Sequence, residues 1–167
     1  MGNVSNLIWV LPRPRKEHYP GGFPLYFEGK LLRLLQIQPG SRVLHPFGGM
    51  AEYGIRVDVS REVNPDIIAN AESLPFRDNA FDLVICDPPY NDELAKKLYK
   101  AKNPRLTKYG KEAVRVCREF GFVCLYHWYM MPRLAGTALR ARVIILQRTW
   151  GRPRVVTICQ KNTEYHA

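Results

Sequence analysis

From Pro24 onward the apolar positions Leu25, Leu31, Leu32, Leu35 and Ile37 of "PLYFEGKLLRLLQI" recur at near-helical spacing, and Pro24 suits a first helical turn. The pattern predicts a helix over 24–37, ended by Pro39-Gly40. "SRVLH" then reads as a short buried strand running into "PFGGMAEYG", "IRVDV" as a second strand ending near Asp58, "DIIA" as a third running into Asn70, and "FDLVIC" as a fourth. A helix is expected around "DELAKKLYKA". A second, amphipathic helix follows over "YGKEAVRVCREF", with Ala113, Val116, Cys117 and Phe120 on one face, and leads to the strand "GFVCLYHW". The tail "RVIILQRTWGRPRVVTICQK" carries two β-branched runs joined by a Gly/Pro turn, which is hairpin chemistry. Residues 1–23 hold "LPRPRKEHYPGGF" and read as an extended, basic, Pro/Gly-rich arm.

Helix and strand alternate, so the fold class is α/β: one domain over 24–167, with a mostly parallel seven-stranded sheet closed by an antiparallel C-terminal hairpin. One connection departs from the pattern. Only "GGMAEYG" separates the first strand from the second, whereas a parallel crossover ordinarily takes a dozen residues or more. Residues 48–54 should therefore form a loop or a single turn, leaving part of one sheet face to be covered by the arm, a second copy of the chain or a partner subunit.

At 167 residues the chain is long enough for one substantial core. The 25 Lys and Arg against 15 Asp and Glu give a net charge of +10, which makes nucleic acid the first partner to consider, beside the plainer reading of a solvated basic surface. Cys86, Cys117, Cys124 and Cys159 contain no C-x-x-C pair and read as reduced thiols of a cytoplasmic protein. "NLIWVL" is too short for a signal-peptide core, no apolar run reaches membrane-spanning length, and His18, His45 and His127 are too scattered for a metal site.

Chemistry concentrates at the strand ends. In an open parallel sheet, ligands sit beyond the carboxyl ends of the strands. There the chain places "HPFGG", Asp58, "NAE" and "DPPY". Gly48 and Gly49 allow close backbone approach, and an acid ending the next strand suits two ribose hydroxyls, so an adenosine-containing cofactor is implied. Taken singly, each is also ordinary turn chemistry.

"VLHPFGG", "VDVS", "ANAESLPF" and "DPPY", in this order, resemble the motifs of class I S-adenosylmethionine-dependent methyltransferases of the amino-methylating DNA type, with closest similarity to small bacteriophage-encoded forms. The resemblance spans Tyr19 to Lys161 and implies a Rossmann-like methyltransferase fold with S-adenosylmethionine as cofactor. It implies that Gly22 and Phe23 complete the cofactor pocket and that Phe47, Gly48 and Gly49 line its methionine end. His45 would form a pocket wall, Asp58 would meet the ribose, Val59 would cover the adenine face, and Asn70 with Ala71 would meet the adenine edge. Asp87 and the Pro88 carbonyl would accept the two N–H bonds of an exocyclic amine, with Pro88 and Pro89 fixing the backbone and Tyr90 stacking on the target base; Asp87 would also border the cofactor.

In related enzymes an acid stands where His45 does, and a long helix follows the glycine loop. The chain also lacks a Pro-Cys dipeptide, so thiolate-based methylation at cytosine carbon 5 has no nucleophile in its usual setting. Adenine N6 in DNA is the expected target. The alternatives are an RNA amine, or a catalytically degenerate nucleic-acid-binding protein of the same fold. Lys96, Lys97, Lys100, Arg105 and Lys108, with Tyr99 and Tyr109 interleaved, are the expected nucleic-acid contacts, although the lysines also suit a solvated helix face. "RPRK" and "RTWGRPR" add charge at the arm and the hairpin turn.

Overall fold

The computed structural model describes residues 4–14, 22–49, 51–89, 103–147 and 152–162. Its elements are β1 (Ser5–Leu11), α1 (Phe27–Leu34), β2 (Val43–His45), β3 (Ile55–Asp58), a 3-10 turn at Arg61–Val63, β4 (Ile67–Ile68), β5 (Phe81–Cys86), α2 (Leu106–Val116), β6 (Cys117–His127), β7 (Thr137–Gln147) and β8 (Arg154–Lys161). One sheet holds the strands in the order β1-β7-β8-β6-β5-β2-β3-β4. Pairing is parallel from β6 through β5, β2 and β3 to β4, and antiparallel where β8 meets β6 and β7. The parallel sheet closed by a C-terminal hairpin is as expected, with eight strands instead of seven.

The extra strand comes from the segment read as an arm. β1 pairs in parallel with β7, from Ser5↔Ala141 to Leu11↔Gln147. Trp9 and Leu11 turn into the core while Ile8 and Val10 remain exposed, the period-two alternation of a half-buried strand. The strand Ser5–Leu11 of the arm thus extends the far edge of the sheet, while Phe23 at the arm's end packs against Phe27, His45 and Tyr126 on the α1 side.

Helix α1 is shorter than the expected 24–37. Gln36 adopts a left-handed conformation at φ 54°, its N–H bonds to the Arg33 carbonyl, and the Ile37 N–H bonds back to the Leu32 carbonyl at 2.9 Å. This is a Schellman closure, with Leu32 and Ile37 both packed on the core. Helix α2 runs directly into β6, so Cys117 belongs to the strand and Phe120 is 57% exposed at φ 58°, in contrast to the helical face expected for both. Lys161 explains the abrupt end. Its Nζ donates to the carbonyl of Cys117 at 2.8 Å and that of Arg115 at 3.4 Å, placing a cation at the helix C-terminus. The helix expected around "DELAKKLYKA" lies outside the described residues.

The core has two layers. On one face of the sheet Phe27 and Leu31 of α1 meet Val43, Leu83, Ile85, Cys124 and Tyr126; on the other, Tyr109, Ala113 and Val116 of α2 meet Leu44, Val57, Val84 and Cys86. All four cysteines are buried and unbridged. As expected, the described residues of the 48–54 connection contain no helix. Arg56, opposite His45 in the β2–β3 ladder, braces the loops on either side of β3: its guanidinium donates to the carbonyls of Asn64 (2.8 Å), Gly49 (3.4 Å) and Val63 (3.5 Å) and sits 3.6 Å from Asp66. One side chain thus ties together both shortened crossovers.

Candidate cofactor and target site

β2 lies between β3 and β5, so strand order reverses there, and the carboxyl ends of β2 and β5 form the switch point at which open sheets of this kind take ligands. The loop after β2 enters it on two glycines. The Gly48 N–H bonds to the Val57 carbonyl at 2.8 Å, and a Cβ on Gly48 would fall 2.6 Å from Arg56 Cβ. Gly49, at φ +43°, donates its N–H to Asp58 Oδ2 at 3.2 Å. Asp58 Oδ1 accepts the Ser60 N–H at 2.9 Å, so both carboxylate oxygens are held by backbone. Asp58 is buried; loss of water raises its pKa, and the bonds from Ser60, Gly49 and Val59 offset only part of that rise. A carboxylate oriented in this way keeps lone pairs for further donors, the requirement for meeting a vicinal diol.

Val59 is 44% exposed beside Asp58. The Ala69 N–H bonds to the Asp58 carbonyl, bringing the "NAE" loop alongside. Asn70 is exposed with Oδ1 accepting the Glu72 N–H at 2.9 Å, and Ala71 is buried. Glu72 in turn accepts the Arg105 N–H at 2.7 Å and lies 3.6 Å from Lys108 Nζ, fixing the start of α2 against this loop. Arg105 and Lys108 therefore sit at the rim of the site, Lys108 with a carboxylate partner.

His45 is buried at the end of β2, its ring 6.0 Å from that of Phe23 and its Nε2 3.3 Å from Glu28 Oε1. Phe23 also packs against Phe27 and Tyr126 at 4.8 and 5.1 Å, and Gly22 precedes it, half-buried. Phe47 meets Tyr109 edge-on at 5.2 Å. Tyr109 is buried, so it serves the pocket wall and not the base stacking expected of it. Asp87 follows β5 half-buried, with Pro88 buried and Pro89 half-buried. Burial raises the pKa of Tyr109 and Tyr126, and the charge of Asp87 adds to both shifts, which places that carboxylate near two neutral phenols. Tyr90, Lys96, Lys97, Lys100 and Tyr99 lie outside the described residues.

The structure thus gathers Phe23, His45, Phe47, Gly48, Gly49 and Asp58 at the carboxyl ends of β2 and β3, with Asp87 at the end of the adjoining β5. Sequence reading missed Glu28, Arg56 and Tyr126. Glu28 carried a signal: at i relative to Leu31, Leu32 and Leu35 it is an acid on the apolar stripe of its helix. Tyr126 carried none beyond being an aromatic in a buried strand. Among the described residues no cluster of His, Cys, Asp and Glu could hold a metal ion.

No protein-family model matches the chain, and no curated protein matches it. Solved structures do. TrmN from Thermus thermophilus matches 80% of the chain with a TM-score of 0.58 and 22% identity, over 47% of its own length, so the chain spans less than half of that protein. A SAM-dependent methyltransferase from Aquifex aeolicus matches 80% of the chain at 0.52 and 14% identity, over 88% of its length. The 1,6-didemethyltoxoflavin-N1-methyltransferase of Burkholderia thailandensis, solved with S-adenosylhomocysteine, matches 80% at 0.58 and 10% identity, over 76% of its length. At these identities the likeness is one of fold.

Proposed function

We propose that this chain, built on the fold of class I S-adenosylmethionine-dependent methyltransferases, binds S-adenosylmethionine and methylates an exocyclic amine of a nucleobase, with adenine N6 in DNA as the first target to test. The observation that carries the cofactor reading is the Gly49–Asp58 unit: a loop that approaches closely without side chains, next to a buried carboxylate pinned by two backbone N–H groups. This fits an adenosine. Asp58 would hold the ribose, Val59 and Ala71 would border the adenine with Asn70 at its edge, and Phe47, Gly48 and Gly49 would line the remainder with Gly22, Phe23 and His45. The neighbouring fold that carries S-adenosylhomocysteine lends support by analogy alone.

The cofactor supplies an electrophilic sulfonium methyl. The chain must supply a competent nucleophile, since the lone pair of an exocyclic amine is delocalised into its ring. Asp87 and the Pro88 carbonyl, on a backbone stiffened by Pro89, accept its two N–H bonds, favour tetrahedral geometry at nitrogen and free the lone pair. As positive charge develops on that nitrogen, the Asp87 carboxylate stabilises it in place, with no reorganisation at the moment of reaction. Tyr90 stacks on the extruded base, and the "KKLYKAKNPRLTK" segment contacts phosphate.

Titration with S-adenosylhomocysteine tests the cofactor half. At a hundredfold excess over Kd a ligand of the folded state adds about 2.7 kcal/mol, or roughly 5–10 °C in Tm for a chain of this size. Asp58→Ala should remove that shift. Ribose hydroxyls donate to the ionised carboxylate, so affinity should rise with pH through the raised pKa of Asp58 and level off above it. In the free protein the same raised pKa works in the opposite sense: the stability it contributes is present at acid pH and lost as Asp58 ionises. No shift for the wild-type chain at millimolar ligand would remove this reading.

A further inference from the structure

Beyond β5, the rim of the sheet carries side chains that the proposed cofactor site does not use. β6 pairs with β5 through Cys86↔Leu125 and with β8 through His127↔Val155, so residues 127–130 and 152–154 lie at the same end of the sheet as Asp87. Asp87 and Arg154 both act on the Tyr126 hydroxyl, and Asp87 and Tyr129 both act on that of Tyr109. The two groups of residues therefore share one end of the sheet.

Tyr129 and Met130 are 52% and 61% exposed. Single exposed apolar residues are ordinary on a protein surface, but Tyr129 is backed by a second ring. The Tyr129 ring packs 3.8 Å, centroid to centroid, from His127, which is buried and held down to about 4 by burial and Arg154, so the imidazole beneath it is uncharged at neutral pH. Next to it Arg152 lies over the Trp128 ring, 5.1 Å from the centroid. Arg154 Nη1 donates to the carbonyls of Arg152 (2.8 Å) and Pro153 (3.4 Å), holding the start of β8 in place. The result is an exposed tyrosine ring backed by His127 and, over the ring of the adjoining Trp128, a guanidinium.

An occupant that is planar, stacks, and carries regularly spaced negative charge matches this surface: an unpaired nucleotide strand. We propose that Trp128, Tyr129, Met130 and Arg152 form a platform for the unpaired nucleotides flanking the target base, with Tyr129 stacking on a base and Arg152 contacting a phosphate. The proposal rests on the reading of Asp87 as holder of the target amine, and it places target recognition on a described loop of the catalytic domain itself.

The test is fluorescence anisotropy of labelled mixed-sequence single-stranded DNA and RNA oligonucleotides with the full chain across a salt series, beside calorimetry with S-adenosylhomocysteine. Tyr129→Ala should weaken oligonucleotide binding about tenfold or more, and Tyr129→Phe should retain it, since stacking needs only the ring. Arg152→Gln should make the slope of log affinity against log salt shallower by about 0.7 for a single strand. Binding should quench tryptophan emission in wild type and do so less in Trp128→Phe; this readout and Tyr129→Leu keep the test open should the alanine variant fail to fold. The DNA and RNA arms identify which strand the platform prefers. If wild type binds S-adenosylhomocysteine while Tyr129→Ala and Arg152→Gln bind oligonucleotide as wild type does, the platform is overturned and the methyltransferase reading stands. If oligonucleotide binding depends on these residues while the cofactor does not bind, the methyltransferase reading falls, and with it the platform's role beside a target base, leaving a single-strand-binding surface only.

Discussion

His45 Nε2 lies 3.3 Å from Glu28 Oε1, joining the end of β2 to the first turn of α1. Both atoms are buried and, among the described residues, neither has a hydrogen-bond partner, so each is the nearest polar group to the other. The side chains are 1% and 18% exposed, so removing either strands the other away from water. His45→Ala and Glu28→Ala should each destabilise the fold, and the double variant should lose less than the sum of the two. Urea unfolding of all four proteins gives the coupling. We expect about 0.5–3 kcal/mol, and additivity within about 0.3 kcal/mol would show that the two side chains act independently.

The short β2–β3 connection depends on glycine geometry. Gly54 sits at φ +86°, and a Cβ there would fall 2.6 Å from the Val43 carbonyl oxygen. Gly54→Ala should cost at least about 1–2 kcal/mol for the left-handed conformation alone, before the clash is added. Gly29 is the control: it lies in α1 with nothing within 4 Å of the added methyl, so Gly29→Ala should stabilise by up to about 1 kcal/mol. Denaturant titrations in which Gly54→Ala is as stable as wild type would contradict the left-handed backbone at Gly54.

His127 ties stability to pH. Its pKa falls to about 4 in the folded chain, against about 6.5 unfolded. The stability it contributes is fully present above the unfolded value and is lost as pH falls toward 4, amounting to about 2–3 kcal/mol between pH 7.5 and 4.5. Asp82 and Glu112, whose pKa values are lowered by Arg42 and Arg118 and by Arg115 respectively, add losses of the same sign at lower pH. The informative quantity is therefore the difference between wild type and His127→Phe at the two pH values. Equal losses in both proteins would exclude His127 as the titrating group.

The sheet was legible in the sequence wherever burial left a short apolar run bounded by turn residues, as at "FDLVIC" and in the C-terminal hairpin. β1 was not, because seven uncharged residues next to "RPRK" read by composition as part of an arm, and their alternation acquires meaning only against β7. The end of α2 was misplaced for a related reason: the apolar spacing continues through Cys117, while the group that closes the helix, Lys161, lies 44 residues away. In the site, Gly49 and Asp58 could be read because strand-end motifs are local. Tyr109 could not. Interleaved with lysines it looks like a surface aromatic, and only its contact with Phe47 reveals a wall.

The most direct measurement is transfer of labelled methyl from S-adenosylmethionine to DNA and RNA by wild type and Asp87→Ala, with the product nucleoside identified. Asp87 acts chiefly in the transition state, so its loss should lower the rate on the order of 100-fold or more and leave S-adenosylhomocysteine affinity within a few-fold. The predicted product of the wild-type chain is N6-methyladenosine or its deoxy form. Equal rates for Asp87→Ala and wild type, or wild-type chain that binds S-adenosylhomocysteine but labels no nucleoside, would contradict methyl transfer to a base amine held by Asp87.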